Sequence, residues 1–171
     1  GPLGIPMWGW VAFSSTSLLG LVEDIDNDLL SPALRLALLV LFFGITFVIW
    51  PEIVPSNIGY RFMDNAMSQP IIGWAVSVIF CVGFINAINM ADGANGLIPG
   101  IVFIASVIFN SVMGALFWEA LSIVSGVFLL FNVISGRLFL GDAGAYGLGS
   151  ILVLAGIYAV NTHRISVESA A

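Results

Sequence analysis

Lysine is absent from this chain of 171 residues, and charged residues of all kinds make up only 8% of it. A soluble globular domain averages about 25% charged residues. With 60% hydrophobic residues and a mean hydropathy of +1.10, the sequence is that of an integral membrane protein. Four arginines against ten acids leave a formal net charge of −6, which excludes a basic surface for nucleic acid.

Cysteine and histidine occur once each. Cys81 lies in an apolar run, where it is expected to be a buried small residue, and a single cysteine excludes an intrachain disulfide. His163 is expected on the surface near the C-terminus. The sequence therefore has no Cys/His metal motif, no nucleophilic triad and no phosphate-binding P-loop.

The apolar runs predict an all-α bundle of membrane-spanning helices in one membrane domain, residues 1–171. A span needs about 20 apolar residues. Ser31 followed by Pro32 is typical of a helix start, and every proline falls at a predicted helix end or in a loop. The longest loop is expected at about 51–69. Six spans are predicted, at about 5–22, 33–50, 71–89, 98–115, 117–132 and 144–160.

Loops that follow odd-numbered spans share one side of the membrane. The loops at about 23–32, 90–97 and 133–143 are therefore expected on the same side, where their polar clusters could meet. Tryptophan favours the membrane interface, and all five tryptophans are predicted on the opposite side. The acids on the shared side are Glu23, Asp24, Asp26, Asp28, Asp92 and Asp142, and the tryptophans are Trp8, Trp10, Trp50, Trp74 and Trp118.

The arginines do not orient the chain. Arg35 and Arg137 are predicted on the side of the polar clusters, and Arg61 and Arg164 on the other side. The positive-inside rule therefore gives a tie.

The segment Asn86–Leu97 is the most informative part of the sequence, because it places amides, a carboxylate and glycines between two apolar runs. Carboxylates and amides without a cysteine ligand set suit a hard cation such as Mg²⁺, often together with substrate phosphates. Glycines beside Asp92 and Asp142 let the backbone approach a ligand closely. The alternative is that acids at span ends are solvated helix caps, which is the preferred interpretation for residues 26–28.

Three motifs resemble those of the polyprenyl-phosphate N-acetylhexosamine-1-phosphate transferases, the membrane enzymes of glycosyltransferase family 4. Residues 86–97 resemble the signature of that family. Gly20–Asp24, followed by Leu30-Ser31 and Arg35-Leu36, resembles its Asp-Asp motif, and Asn132–Gly144 resembles its later magnesium motif. The family includes the phospho-N-acetylmuramoyl-pentapeptide transferase of peptidoglycan synthesis and the transferases that start O-antigen and enterobacterial common antigen synthesis.

The resemblance implies a reaction, a cofactor and a location. A UDP-activated N-acetyl sugar 1-phosphate would be transferred to a polyprenyl phosphate, usually undecaprenyl phosphate, with release of UMP. Mg²⁺ would be required, and the site would face the cytoplasm from the bacterial inner membrane. The resemblance is also compatible with a homodimer.

The resemblance also implies roles for individual residues. Glu23, Asp24, Asp92 and Asp142 would be the catalytic carboxylates. Asp142 would bind magnesium together with Asp24, and the acidic pair would activate or position the lipid phosphate. The residues that would bind the nucleotide sugar are Asn86, Asn89, Asn95, Asn132 and Phe139, with Asn132 contacting the nucleotide and Phe139 stacking on uracil.

The chain also departs from the family pattern. Glu23 and Asn95 stand where aspartate is usual, and Ala145 replaces a frequent serine. Family members have about ten or eleven spans and a histidine-rich loop, so the resemblance implies that this chain would be the central part of a larger transferase or a reduced relative. Two alternatives follow: a catalytically inactive membrane subunit or fragment of such an enzyme, and a transporter. A transporter would place its carboxylates near the bilayer midplane, whereas this chain has them at span ends.

Overall fold

A computed structural model describes residues 4–26, 29–55 and 58–162 as a bundle of α-helices, with no β-strand in these ranges. A 3₁₀ turn, Pro51–Ile53, follows the second helix. The α-helices are α1 (Met7–Ile25), α2 (Pro32–Ile49), α3 (Arg61–Met67), α4 (Pro70–Ala91), α5 (Leu97–Met113), α6 (Leu116–Ser135) and α7 (Gly141–Asn161).

The all-α prediction is confirmed, and six of the helices coincide with the six predicted spans. Two of the predicted loops were wrong in detail. The expected loop at 51–69 contains α3, a seven-residue helix too short for its period to be read from the sequence. The first loop does not begin at residue 23, because α1 continues through Glu23 and Asp24 to Ile25. That last turn is polar, and its carboxylates find partners on other helices.

Four helices are long and apolar enough to cross a membrane: α2, α4, α6 and α7. The helix α5 is apolar but has 17 residues, at the lower limit of about 17 for a span. Membrane crossing by α1 and α5 therefore stays a prediction. The bundle of long apolar helices makes the chain a membrane protein.

The last helix, α7, is the centre of the bundle. In α7, 67% of the apolar stretch that is long enough to cross a membrane is buried inside the protein. The corresponding shares are 17% for α6 and 28% for α2. The most extensive packing partner of α7 is α1, followed by α4. Leu154 and Tyr146 face one buried cluster with α2 and α4, while Ile151 and Ala155 face a second cluster with α5 and α6.

Small residues allow α1 and α7 to approach closely. A Cβ atom on Gly20 would lie 2.2 Å from the backbone oxygen of Asp142, so only glycine fits there. One turn earlier, the buried Thr16 Oγ1 lies 3.1 Å from the carbonyl oxygen of Tyr146 and 3.0 Å from Ser150 Oγ. Without a hydrophobic driving force between helices in lipid, such close packing and hydrogen bonding provide the attraction.

The remaining helices pack around this pair. The indole of Trp74 on α4 donates to the carbonyl oxygen of Gly44 on α2 at 3.1 Å. The helices α5 and α6 form a tight hairpin through Gly114, which has a φ of +62°. In contrast, α4 and α5 make few contacts along their length.

Contacts between helix ends confirm that the polar clusters share one end of the bundle. Asp24 on α1 binds the start of α7, and Asp92 after α4 binds the same turn. At the opposite end, the Asn161 amide donates to the backbone oxygen of Glu52 at 2.6 Å. Tryptophans lie at the helix ends on that side. The ring centroids of Trp8 and Tyr158 are 5.5 Å apart there, with the two ring planes tilted by 54°. Asn27, Asp28, His163 and Arg164 lie outside the described residues.

Replacing Gly20 with alanine should destabilise the protein, because the new methyl group would collide with the backbone of α7. Overpacking of this kind costs about 1–3 kcal/mol. Thermal unfolding in detergent should give a lower midpoint for Gly20→Ala than for Gly83→Ala, a control whose Cβ would meet nothing within 4 Å. Equal midpoints for the two variants would contradict close α1–α7 packing.

Candidate active site

The first turn of α7 is the point on which the polar clusters converge. A helix start leaves backbone N–H groups without partners inside the helix. The N–H groups of Leu140 and Gly141 donate to Asp92 Oδ2 at 3.0 and 3.2 Å. Those of Asp142 and Ala143 donate to the two oxygens of Asp24, both at 2.9 Å. Two carboxylates from α1 and the α4–α5 loop therefore bind four consecutive N–H groups, where the helix dipole also favours negative charge.

Gly141 is required for this arrangement. Its φ of +68° lies in the left-handed region that glycine adopts readily. A Cβ atom there would also lie 3.0 Å from Asp24 Oδ2. The glycine that the sequence motif places before Asp142 therefore lets the Asp24 carboxylate reach the helix start.

Asp92 is a buried carboxylate with one oxygen unpaired. Its side chain is 7% exposed, and Oδ1 has no hydrogen-bond partner among the described residues. Burial raises the pKa of Asp92, the backbone N–H groups of Gly141 and Leu140 lower it, and the nearby negative charges of Asp142 and Asp24 raise it again. The net effect is a raised pKa, which a cation beside these carboxylates would reverse.

These residues fit a magnesium ion that is shared with a substrate. Within the described ranges, no group of three or more His, Cys, Asp or Glu residues is arranged to hold a metal by itself. Mg²⁺ often takes only one or two carboxylates and completes its shell with phosphate oxygens and water. The Asp142 side chain is half-buried and the buried Asp92 Oδ1 has no hydrogen-bond partner among the described residues, whereas both oxygens of Asp24 already accept N–H groups. Magnesium binding by Asp24 and Asp142 stays a prediction.

Glu23 lies beside the site but faces inward. Its side chain is almost fully buried, and Oε1 forms an ion pair with Nη1 of Arg35 on α2. The hydroxyl group of Tyr146 on α7 faces both side chains. The sequence motifs assigned no role to Arg35 and Tyr146. The available signal was a cation at the cluster end and a tyrosine near the start of an apolar helix.

Asn132 connects two loops of the site. Its side-chain oxygen accepts the Gly96 N–H, and its side-chain nitrogen donates to the Leu138 carbonyl oxygen. The residue is 1% exposed. This geometry gives Asn132 a structural role between the α4–α5 and α6–α7 loops. Its predicted contact with a nucleotide stays a prediction and would use an amide that already has two partners.

The other predicted ligands differ in accessibility. Asn86 and Asn89 are half-buried on the last turns of α4, and the Asn86 amide donates to the Val82 carbonyl oxygen at 2.8 Å. Asn95 is exposed and lies against Gly136 of the α6–α7 loop. Phe139 is 43% exposed in the same loop. All predicted site residues therefore belong to one end of the bundle, and among the residues predicted to bind the nucleotide sugar Phe139 and Asn95 are exposed.

A known family accounts for this arrangement. The family profile described as glycosyl transferase family 4 matches residues 7–160, nearly the whole chain. The chain belongs to glycosyl transferase family 4. The match covers the three motifs, and the family assignment from the motifs is confirmed.

Curated relatives of this family are named phospho-N-acetylmuramoyl-pentapeptide-transferase. The chain is 28% identical to the protein of Latilactobacillus sakei in an alignment that covers 63% of this chain and 42% of that protein. It is 25% identical to the Clostridium perfringens protein in an alignment that covers 97% of this chain and 59% of that protein. It is 35% identical to the Listeria welshimeri protein in an alignment that covers 57% of this chain and 36% of that protein. The chain spans about half the length of the curated relatives that it matches.

Replacing Asp92 with asparagine should stabilise this family member at neutral pH. Because the folded-state pKa of Asp92 is raised, its contribution to stability is present below the unfolded value of about 4 and is lost as pH rises through the folded value. Asparagine can accept the same N–H groups without the charge. Thermal unfolding between pH 4 and 8 should show Asp92→Asn melting above the wild type at pH 7, with the difference shrinking at acid pH.

The matched control is Glu119→Gln, which removes an exposed acid at the opposite end of the bundle. It should leave the pH dependence unchanged. An Asp92→Asn variant that melts below the wild type at pH 7 would mean that the hydrogen bonds to the ionised carboxylate outweigh its burial and repulsion.

Proposed function

We propose that the protein to which this chain belongs transfers an N-acetyl sugar 1-phosphate from a UDP-sugar to a polyprenyl phosphate and releases UMP. In bacteria the acceptor would be undecaprenyl phosphate, at the cytoplasmic face of the inner membrane. The product would start the synthesis of a cell-envelope glycan. The observation that carries this proposal is the convergence of Asp24, Asp92 and Asp142 on the first turn of α7.

The reaction is a displacement at phosphorus. An oxygen of the lipid phosphate would form a bond to the sugar-linked phosphorus of the UDP-sugar. The bond from that phosphorus to the bridging oxygen would break, and UMP would leave with that oxygen. The second pKa of a phosphate monoester is about 6, so the acceptor is already mostly ionised at pH 7. Positioning and charge neutralisation therefore matter more than a strong base.

The residues of the chain have separate tasks in this proposal. A bound Mg²⁺ would neutralise charge on the diphosphate during transfer. Asp142 and the unpaired oxygen of Asp92 would hold that ion. Asp24 would keep the start of α7 in place through its two N–H contacts. Phe139 and Asn95, which are exposed beside this turn, would contact the uridine and the sugar phosphate.

An apolar groove supports a lipid acceptor. The groove has a volume of about 640 Å³ and is lined by residues of α4, α5 and α7 and of the segment before α4. It extends from Phe84, about two turns before the end of α4, and Ile101, about one turn into α5, towards Met63 and Val160 at the opposite end. A polyprenyl chain is an apolar ligand of matching character, and such grooves bury most of a ligand's surface.

One observation favours the alternative of an inactive subunit. The extra methylene group of Glu23 places its carboxylate in an ion pair with Arg35, and a displacement of about 1 Å can cost roughly 10²-fold in rate. The absence of a carboxylate at Asn95 points the same way. Activity of the purified protein distinguishes the two proposals.

UMP release should require both substrates and the metal. Purified protein in detergent, given undecaprenyl phosphate, Mg²⁺ and a panel of UDP-N-acetyl sugars, should release UMP with one donor. Asp142→Asn should lower the rate by roughly 10²- to 10³-fold, as expected for loss of a group that stabilises transition-state charge. Glu119→Gln at the opposite end should keep the wild-type rate. Folded protein that releases no UMP with any donor would favour the inactive subunit.

Filling the groove should weaken lipid binding selectively. Gly156 lines the groove, and a Cβ atom there would meet only Phe109 Cζ at 3.9 Å, so Gly156→Leu has room to project into it. We expect a higher KM for the polyprenyl phosphate and an unchanged KM for the UDP-sugar. Gly83→Leu, on an exposed part of α4 outside the groove, is the matched control. Equal KM values for the lipid in both variants would exclude the groove as the acceptor site.

A further inference from the structure

Buried Glu23 and Tyr146 and half-buried Arg35 form a polar unit that none of the tasks above uses. The Glu23–Arg35 contact is the one ion pair among the residues that the structure describes. The side chain of Glu23 is 4% exposed, and Tyr146 is completely buried. Burying a carboxylate costs free energy unless it is paired and hydrogen-bonded, so the burial of Glu23 needs a structural or functional explanation.

Two polar atoms of the unit are unpaired. Glu23 Oε2 and the Tyr146 hydroxyl oxygen are both buried, and neither has a hydrogen bond of good geometry within the described part of the chain. The Tyr146 hydroxyl nevertheless faces both the carboxylate and the guanidinium. A phenol can donate to a carboxylate and accept from a guanidinium. A small rotation would therefore let Tyr146 bond to Glu23 on one side and to Arg35 on the other.

The unit holds Arg35 beside the acidic turn. Glu23 precedes Asp24, whose carboxylate binds the start of α7, and Tyr146 lies one turn further along α7 than Asp142. The Arg35 side chain remains 25% exposed, and Glu23 binds it through Nη1. An arginine has five N–H donors in a rigid fork that matches a phosphate group. The exposed part of the fork can therefore meet an anion at this end of the bundle.

We propose that Glu23 and Tyr146 are positioning residues that hold the Arg35 guanidinium at the edge of the acidic turn, where it meets a phosphate of the substrate. The identity of that phosphate as part of a polyprenyl phosphate or UDP-sugar rests on the proposed function. Glu23 is then not the base of the reaction, because its carboxylate is turned inward to Arg35 and the acceptor needs little deprotonation.

Arginine side-chain NMR tests directly whether Glu23 and Tyr146 hold the Arg35 guanidinium in place. The chain has four arginines, so the spectrum of a ¹⁵N-labelled sample contains few Nε–Hε signals, and loss of one signal in Arg35→Lys assigns Arg35. We expect the wild-type Arg35 signal to exchange slowly with water. In Glu23→Gln and Tyr146→Phe it should exchange as fast as that of the exposed Arg137. Tyr158→Phe, on the same helix at the opposite end, should leave it unchanged.

Kinetic measurements test whether the positioned Arg35 guanidinium binds a phosphate of the substrate. Tyr146→Phe should raise KM for one of the two phosphate substrates by about two- to tenfold, the loss expected for one hydrogen bond, with little change in kcat. The same substitution in an Arg35→Gln background should have no further effect, because coupled residues are not additive. The substrate whose KM moves identifies the phosphate that Arg35 meets.

Two results would overturn the proposal. One is an Arg35 signal that stays slow in both Glu23→Gln and Tyr146→Phe, since Arg35 would then be held by other groups. The other is a fall in kcat at constant KM that adds to the effect of Arg35→Gln, as expected for a base or a purely structural residue. Absence of transfer by the wild type would count against the proposed function alone. The NMR comparison would still show whether Glu23 and Tyr146 hold the Arg35 guanidinium in place.

Discussion

The structure depends on how four consecutive N–H groups at the start of α7, from Leu140 to Ala143, are satisfied. A helix that starts at the edge of a membrane bundle exposes donors that neither lipid nor the helix itself can pair. Here the carboxylates of Asp24 and Asp92 bind them, and these residues come from α1 and from the loop after α4. One capping interaction therefore brings three segments together that are far apart in the sequence. The glycines at positions 20 and 141 permit this contact. A Cβ atom at position 20 would collide with the backbone of α7, and position 141 has a φ of +68° with a tight 3.0 Å distance to Asp24 Oδ2.

The same interaction concentrates negative charge. Asp92 is buried with one oxygen unpaired, and Asp24 and Asp142 add repulsion. A fold selected for stability alone would place a neutral cap there. The arrangement is the kind of local cost that functional sites carry, since carboxylates poised around a helix start suit a divalent cation and a phosphate. Membership of glycosyl transferase family 4 is consistent with that chemistry.

The sequence predicted most of the fold and the location of the site, but not its internal contacts. Long apolar runs identify helices well, and the parity of the loops placed Asp24, Asp92 and Asp142 at one end of the bundle. The inward orientation of the Glu23 side chain was not predictable. Its partner Arg35 lies on another helix, and the ion pair between them depends on the length of the glutamate side chain. The two hydrogen bonds by which the Asn132 side chain connects two loops were missed for the same reason, since a motif identifies a residue type and not its partners.

The most direct test of the account is paramagnetic broadening by Mn²⁺, which accepts the same oxygen ligands as Mg²⁺. Backbone amide signals of the ¹⁵N-labelled protein would be followed as Mn²⁺ is added at low concentration. A single site at the start of α7 predicts that signals of residues 23–25, 92–96 and 140–143 broaden together, and that Asp142→Asn removes the effect on all three segments. Broadening confined to one segment, or unchanged by Asp142→Asn, would contradict the convergence of the three motifs on one metal-binding turn.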